Sequence, residues 1–158
     1  MIADTGPLNY LILIGCVDLL PSLFETVLLP AAVSVELQAA DAPAKVREWM
    51  ASPPSWVEIK SDPLDFDPAL EGLDAGEKAA IALADVLQAD LLLIDERAGV
   101  RVARQKGLRV TGTLGVLDLA AERGLVDFTE AMQRLQRTTF HRPEALLKTL
   151  LQKHGGGG

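Results

Sequence analysis

The sequence lacks the features by which disulfide-bonded, secreted and membrane-spanning proteins are recognised. Its one cysteine, Cys16, has no partner for an internal disulfide and lies in an apolar run, which favours a buried structural thiol. No apolar stretch reaches the roughly 18 residues expected of a membrane span. The first residues have neither the cationic start nor the cleavage site of a secretory signal. We therefore expect a cytoplasmic protein with no membrane partner.

Positive charge is also scarce. The chain has 15 Lys and Arg residues against 22 Asp and Glu residues, which gives a formal net charge of -7. Loose attraction to a polyanion needs clustered Lys and Arg, so any nucleic acid must be brought in by metal ions or by a local basic patch. No P-loop and no zinc-spaced cluster is present, which excludes the common nucleotide-phosphate cradle and the common zinc sites.

The composition is otherwise that of a globular chain. Hydrophobic residues make up 49% and charged residues 23% of the 158 residues, enough to bury a core of one domain. We predict a single domain over residues 1–154. The final residues, 155–158, are all glycine and are typical of a flexible linker or tail without chemistry.

Short apolar runs alternate with amphipathic segments along the chain. Strands are predicted at residues 1–3, 25–29, 56–60, 90–94 and 108–111, the third of them at a sheet edge. Helices are predicted at residues 31–40, 73–88, 97–106, 114–122, 127–138 and 143–153. Gly6-Pro7 predicts a turn into the apolar segment 8–14, and Thr113 is predicted to cap the helix that follows it. This order predicts an α/β fold with a doubly wound parallel sheet.

Two of these predictions rest on local detail. Residues 33–38 also alternate with period two and would serve as a strand, but Pro30 before them and the flanking alanines favour a helix. In the helix 73–88 the polar residues fall in one stripe, so its remaining faces are expected to pack on the sheet. The members of that stripe are Asp74, Glu77, Lys78, Asp85 and Gln88.

Carboxylates stand where such a sheet binds ligands. Asp4 and Asp95 follow directly on predicted strands, and parallel sheets bind ligands outside the carboxyl ends of their strands. Glu36 has only apolar neighbours three and four positions away, where a carboxylate is unfavourable unless it is solvated, paired or bound to metal. Mg²⁺ and Mn²⁺ require such oxygen ligands. A divalent-metal site is therefore plausible chemistry for these residues.

Each carboxylate also has a purely structural interpretation. Asp4 could occupy a turn or cap a helix, and Asp95 could cap the helix after it. Asp74 and Glu77 have the spacing of a capping box, in which both satisfy free amides of the first helical turn. Residues 127–130 have the same spacing and are interpreted as a cap alone.

Two other enzyme classes share short motifs with the chain. Asp4-Thr5-Gly6 is the triplet of the aspartic-protease loop, but those enzymes are all-β, whereas Pro7 and the later helices predict an α/β fold. A haloacid-dehalogenase-type phosphatase would have a second Asp where Gly6 stands. Both classes are therefore disfavoured.

Taken together, the motifs resemble those of the PIN-domain superfamily of nucleases. They are Asp4-Thr5 after a short strand, Glu36 in the next helix, Gly76-Glu77-Lys78-Ala79-Ala80-Ile81 and Leu91-Leu92-Leu93-Ile94-Asp95-Glu96-Arg97. Two further runs are similar to a PIN-like family of uncharacterised prokaryotic proteins related to the toxin nucleases of toxin–antitoxin pairs. These runs are Leu73-Asp74-Ala75-Gly76-Glu77 and Arg109-Val110-Thr111-Gly112-Thr113-Leu114-Gly115. The resemblance covers nearly the whole chain before the terminal glycines.

The resemblance implies a three-layer α/β/α sandwich in which acidic residues hold Mg²⁺ or Mn²⁺ and hydrolyse RNA phosphodiesters. Position by position, the metal-binding and catalytic residues that it implies are Asp4, Glu36, Glu77 and Asp95. It adds Glu96 as an auxiliary carboxylate and the hydroxyls of Thr5 and Thr113 as substrate contacts. The third acidic position is commonly Asp in the superfamily, so Glu77 places its carboxylate one carbon farther from the backbone. An inactive PIN-fold protein that acts by binding a protein partner is the alternative.

Partners and the remaining charged residues give weaker expectations. The resemblance implies an antitoxin protein as a partner. The apolar segments 8–14 and 19–24 exceed what one sheet face needs and predict a homodimer. Arg97, Arg101 and Arg104 fall on one helical face, where they either contact a substrate backbone or form a solvated, salt-bridged surface. His141 and His154 are expected to be surface residues.

Overall fold

The chain folds around a parallel β-sheet. The computed structural model describes residues 1–141 and 144–155. The strands are β1 (Ile2–Ala3), β2 (Val27–Pro30), β3 (Val57–Lys60), β4 (Leu92–Leu93) and β5 (Val110–Thr111). They pair in parallel in the order β3-β2-β1-β4-β5, with Ile2 opposite both Leu28 and Leu92. The predicted α/β class and the edge position of the third strand are confirmed.

Helices connect the strands. They are α1 (Thr5–Leu13), α2 (Leu20–Leu23), α3 (Ala31–Leu37), α4 (Ala44–Ala51), α5 (Ala75–Leu87), α6 (Arg97–Gln105), α7 (Thr113–Glu122), α8 (Phe128–Gln136) and α9 (Glu144–His154). The helix predicted in the ambiguous segment 31–40 is confirmed. The predicted first residue of the last helix, Pro143, and residues 156–158 of the glycine tail lie outside the described residues, so the boundary between domain and tail stays a prediction.

Side-chain alternation along the strands divides the core between the two faces of the sheet. Ile2, Leu92 and Ile94 pack with the apolar residues of α5 and α6. Their neighbours Ala3 and Leu93 pack on the opposite face, with residues of α1, α7, α8 and α9. Because successive strand residues point to opposite faces, two apolar layers form from very short strands. The sheet therefore lies between two helical layers, as the three-layer α/β/α sandwich requires.

The start of α1 corrects one prediction. No turn separates β1 from the following helix at Gly6-Pro7; α1 begins at Thr5 and includes both residues. Pro7 stands in the first helical turn, where a backbone N–H has no partner within the helix, so proline is tolerated there. The consequence is a direct passage from strand to helix, with Asp4 as the single residue between them.

The apolar segments near the start of the chain are buried within it. Leu8, Leu11 and Leu20 are fully buried against the sheet and the neighbouring helices. These side chains are thus not the surplus surface from which the homodimer was predicted. The homodimer stays a prediction, and light scattering of a monomer at micromolar concentrations would contradict it.

No single helix within residues 1–141 and 144–155 is both long and apolar enough to cross a membrane. One bent pair, Thr5–Leu13 and Val17–Leu23 with 112° between its parts, meets the length and composition criteria when its parts are joined.

Candidate active site

The topology creates a crevice between β1 and β4. From β1 the chain proceeds to β2 and β3 on one side of the sheet and later returns to β4 and β5 on the other. Asp4 follows β1 and donates its backbone N–H to the Leu93 carbonyl at 2.9 Å, while Asp95 follows two residues after Leu93. Such a reversal of strand order leaves room for a ligand beyond the carboxyl ends of the strands. The structure therefore places both aspartates at the predicted edge.

Asp4 is a buried carboxylate with one oxygen that has no partner among the described residues. Its residue is 5% exposed, and within the described residues its buried Oδ1 has no hydrogen-bond partner. It occupies the N-cap position of α1, but its side chain makes no capping hydrogen bond. Burial and, to a lesser extent, the nearby charges of Asp74, Glu36 and Asp95 raise the pKa of Asp4 to about 7, although a hydrogen bond from the Thr5 backbone N–H lowers it. The structural interpretation of Asp4 as an N-cap residue is therefore correct for its position, but that position does not explain its buried oxygen without a partner.

Glu77 is a second carboxylate of this kind. It is 7% exposed, so it lies against the protein and not in the polar stripe predicted for α5. Its Oε2 is buried and has no partner among the described residues. Burial, followed by the neighbouring carboxyl groups of Asp74, Asp4 and Glu96, raises the pKa of Glu77 to about 8. Without a cation, both Asp4 and Glu77 therefore retain a proton close to neutral pH.

The capping box predicted for α5 is present in its aspartate half. Asp74 Oδ1 accepts a hydrogen bond from the Glu77 backbone N–H at 2.8 Å. The side chain of Glu77 has no corresponding bond in the described structure. Asp74 thus caps the helix end, while the Glu77 Oε2 atom keeps no partner among the described residues. The cap predicted in residues 127–130 is confirmed, since Asp127 accepts from the Glu130 N–H at 2.9 Å.

Glu36 lies against the amino end of α5. Its Oε1 accepts a hydrogen bond from the Thr5 hydroxyl at 2.8 Å. Burial raises its pKa, which the Thr5 hydrogen bond and the Gly76 amide partly offset. A Cβ added at Gly76 would overlap Oε1 and lie 2.9 Å from Cδ of Glu36. The carboxylate therefore occupies space that exists only because residue 76 has no side chain.

Asp95 is fixed at the amino end of α7. Its carboxylate accepts from the Thr113 backbone N–H at 2.8 Å and from the Thr113 hydroxyl at 2.6 Å. Burial nevertheless raises the pKa of Asp95. A Cβ added at Gly112 would overlap Asp95 Oδ1 and lie 3.5 Å from its Cγ. Gly112 thus allows Asp95 to approach the amino end of α7 closely, in the same way that Gly76 allows Glu36 to approach α5.

Thr113 corrects a second prediction. It is the first residue of α7 and not its N-cap, a position that Gly112 occupies. The capping oxygen comes instead from Asp95, on another element. Thr113 is fully buried, and its hydroxyl, like that of Thr5, bonds to a carboxylate. Both threonines therefore orient acidic side chains in this structure, and the substrate contacts that the resemblance implies for them stay a prediction.

Asp4 is central to the electrostatics of this group. Its pKa responds to the charges of Asp74, Glu36 and Asp95, and the pKa of Glu77 responds in turn to the charge of Asp4. Asp74 was interpreted from the sequence only as a cap, and its position just before the Gly76-Glu77 pair was the signal that could have identified it. Exposed Glu96 precedes α6, and its charge raises the pKa of Glu77. Exposed Arg97 is the first residue of α6.

The donor chemistry of the site fits a divalent cation. Two buried carboxylate oxygens have no partners among the described residues, and the pKa values of both groups are raised. Negative charge on these oxygens is unfavourable without a cation, and a hard cation would stabilise it. In the part of the chain that the structure describes, however, no three His, Cys, Asp or Glu side chains form a group that could hold one ion. A cation here would therefore take most of its ligands from water and substrate oxygens, as Mg²⁺ commonly does.

The two histidines differ in position: His141 lines a small pocket together with Asp95 and Gly112, whereas His154 lies at the end of α9. His141 is exposed, as predicted. The prediction is wrong for His154, whose side chain is only 11% exposed and lies 2.6 Å from Asp118. Its ring also packs on Phe128, with centroids 4.7 Å apart. His154 thus contributes to the docking of α9 on α7 and α8.

Comparison with known proteins identifies the family. Searches of curated proteins and of solved structures gave no significant match. A family model described as DUF3368, a PIN domain, matches residues 1–156. PIN domains are generally nucleases and typically use divalent metals. With its five-stranded parallel sheet and acidic crevice, the chain belongs to the DUF3368 family of PIN domains.

Proposed function

We propose that the protein is a metal-dependent endoribonuclease that hydrolyses RNA phosphodiesters. The proposed metal-binding and catalytic residues are Asp4, Glu36, Glu77 and Asp95, with Mg²⁺ or Mn²⁺ as the cation. The observation that carries the proposal is the pair of buried carboxylate oxygens, Asp4 Oδ1 and Glu77 Oε2, without partners at the switch point of the sheet. Perturbed carboxyl groups in such a crevice indicate a functional site.

The residues of the chain have separate tasks in this proposal. When bound, a divalent cation supplies a more acidic water and stabilises negative charge on the phosphoryl oxygens. Asp4 and Glu77 hold protons near neutral pH in the metal-free protein, and they would release these protons when a cation binds to their carboxylates. The Thr5 and Thr113 hydroxyls fix the orientation of Glu36 and Asp95, so these carboxylates need little rearrangement.

Replacement of single carboxylates tests the activity. Asp4→Asn and Asp95→Asn should lower Mn²⁺-dependent RNA cleavage by about 100-fold or more, the scale expected when one group that stabilises transition-state charge is lost. Asp90→Asn is the matched control, because Asp90 is exposed at the opposite end of the β4 segment. It should cleave at the wild-type rate. Wild-type cleavage by both site variants would refute the proposal.

The biological setting is proposed from the family resemblance. We propose a toxin of a toxin–antitoxin pair that acts in the cytoplasm, with an antitoxin protein as its partner. A neighbouring gene for a small DNA-binding protein would support this assignment. Co-expression should then give a stable complex and suppress RNA cleavage, whereas undiminished cleavage in the presence of that protein would contradict it.

A second candidate function is favoured by one observation. Because no three potential ligands are grouped in the described residues, the chain could be a PIN-fold protein that no longer cleaves and acts by binding a protein partner. The longer side chain of Glu77, at a position that is commonly Asp in the superfamily, has the same implication. Calorimetric titration separates the two candidates. Heat of Mn²⁺ binding supports the nuclease, and its absence at millimolar metal together with a tight complex with the encoded antitoxin supports the binding protein.

A further inference from the structure

Helix α6 presents a row of arginines to solvent. Arg97, Arg101 and Arg104 are four and three residues apart, so they share one helical face, and all three are exposed. Together with Val100 and Gln105 they line an open groove of about 440 Å³. The row extends over ~10 Å at a rise of 1.5 Å per residue.

These arginines have no acidic partner in residues 1–141 and 144–155. Some other cations are paired there, such as Lys60 with Glu58, Lys106 with Asp67, and Arg134 with Glu130. No salt bridge or side-chain hydrogen bond in the described structure involves the guanidinium group of Arg97, Arg101 or Arg104. The salt-bridged surface that the sequence allowed is therefore not formed. In a chain with a net charge of -7, the row is a local basic patch of the kind that a polyanionic ligand would need.

The row begins at the acidic crevice. Helix α6 starts two residues after Asp95, so Arg97 is the member of the row that follows that carboxylate most closely in the chain, and Arg104 lies near the far end of the helix. Carboxylates repel a phosphate chain, and cations arranged in a line next to them offset that repulsion. The guanidinium group suits this role because it binds phosphate oxygens with two parallel hydrogen bonds. One row of three cations matches the single backbone of one strand.

We propose that Arg97, Arg101 and Arg104 form a track that binds the phosphate backbone of single-stranded RNA and leads it into the Asp4–Asp95 crevice. The inference rests on the proposed function, since it takes RNA as the ligand. Phosphate contacts position a nucleic acid but do not read its bases. The track therefore sets the direction and register of the strand, and any sequence preference arises elsewhere.

The salt dependence of RNA binding tests the track. Binding of fluorescent oligouridylate and oligoadenylate is measured by anisotropy in EDTA, so that no cleavage occurs. For single strands, each phosphate contact contributes about 0.7 to the slope of log affinity against log salt. Arg101→Gln/Arg104→Gln should therefore lower the slope by about 1.4. The loss of affinity relative to wild type should shrink by about 7-fold between ~50 and ~200 mM salt, equally for both oligomers.

The matched control is Arg123→Gln/Arg137→Gln, which removes the same charge from exposed arginines near the ends of α7 and α8. It should keep the wild-type slope. Because all four residues are exposed, both double variants should melt close to wild type.

Three outcomes overturn the inference: no RNA binding by wild type, an unchanged slope in Arg101→Gln/Arg104→Gln, or an equal loss of slope in the control. Unchanged RNA binding with weakened binding of polyglutamate would assign the row to an acidic protein segment instead. Failure of the nuclease proposal alone gives a different result: RNA binding still depends on the arginines, but Mn²⁺-dependent cleavage is absent. Normal cleavage with an unchanged slope would end the inference alone.

Discussion

Gly76→Ala adds one methyl group where the Glu36 carboxylate lies. The new Cβ would overlap Oε1 and stand 2.9 Å from Cδ, whereas ordinary van der Waals contact is 3.4–4 Å. The carboxylate carbon must therefore retreat by about 0.5–1 Å and Oε1 by more. The 2.8 Å hydrogen bond from the Thr5 hydroxyl is then lost or lengthened beyond use.

The effect on folding should be small, because the obstacle is the far end of a flexible side chain. Alanine is favoured over glycine by up to ~1 kcal/mol in a helix, and less near a helix end. Loss of one hydrogen bond to a charged group removes ~1.5–3 kcal/mol, and less here because Glu36 is only half-buried. We expect a net destabilisation of about 1 kcal/mol, or a fall in Tm of about 2–4 °C.

The effect on metal binding should be larger. If Glu36 is a ligand, its displacement should weaken Mn²⁺ binding by about 10-fold or more, which is the range seen when the support of a ligand is lost. Isothermal titration of Mn²⁺ measures the affinity, and thermal melting in EDTA measures the stability of the same variant. The two measurements together distinguish a moved ligand from a damaged fold.

Gly6→Ala is a matched control. Gly6 is the second residue of α1, as Gly76 is of α5, and a Cβ there would meet nothing within 4 Å. This variant should bind Mn²⁺ like wild type and melt at or slightly above it. Wild-type Mn²⁺ affinity in Gly76→Ala would exclude Glu36 as a ligand. A fall in Tm of more than about 10 °C, far beyond a 1 kcal/mol effect, would show that Glu36 cannot move aside.

The remaining predictions concern protons, metal and one hydroxyl. The pKa values of Asp4 and Glu77 are raised from about 4 in the unfolded chain to about 7 and 8, so the unfolded state binds fewer protons than the folded state over this range. The free energy of unfolding in EDTA should therefore fall from pH 4 to pH 8. Asp4→Asn should flatten this pH dependence in thermal melts. Mn²⁺ at one hundred times its Kd should stabilise wild type by ~2.7 kcal/mol. Asp4→Asn should melt at or above metal-free wild type and respond little to Mn²⁺; a variant that melts far below it would show that Asp4 is structural. Mn²⁺ binding should release protons near neutral pH, seen as a binding heat that changes with the ionisation enthalpy of the buffer, and a buffer-independent heat would contradict the raised pKa values. Thr113→Val should lower stability by about 1.5–3 kcal/mol in denaturant unfolding, because the buried hydroxyl bonds to the Asp95 carboxylate, and an unchanged midpoint would refute that role.

The sheet could be predicted because its strands are marked locally. A run such as Leu91 to Ile94, followed at once by an acidic residue, identifies a buried parallel strand and its carboxyl end without knowledge of its neighbours. Helix α4 was missed although Val46, Trp49 and Met50 have helical spacing, because charged residues between them obscured the short segment. The turn expected at Gly6-Pro7 was wrong because both residue types are also tolerated in a first helical turn.

The details of the site depend on contacts between distant elements. Spacing rules do not reveal that Asp95, which follows β4, caps α7, because 18 residues separate it from Thr113. They also do not reveal that Glu36 lies against Gly76, since these residues meet only in the fold. Likewise, helical periodicity placed Glu77 in a polar stripe, but the residue is buried and its Oε2 lies 3.4 Å from the position of a Cβ added at Gly99 of α6. Sequence patterns thus located the acidic crevice, whereas the structure was needed to distinguish caps from unpartnered carboxylates.

The bare backbone at Gly76 and Gly112 has a consequence for how this chemistry could be lost. Each glycine keeps open the position of one carboxylate, and filling either position moves a flexible acidic side chain before it disturbs the core. An active protein and an inert one could therefore differ by a single methyl group while all four proposed ligands are still in the sequence. Among proteins with this arrangement, counting the acidic residues in the sequence would assign nuclease activity to too many chains. The space beside each carboxylate would distinguish active from inactive proteins better.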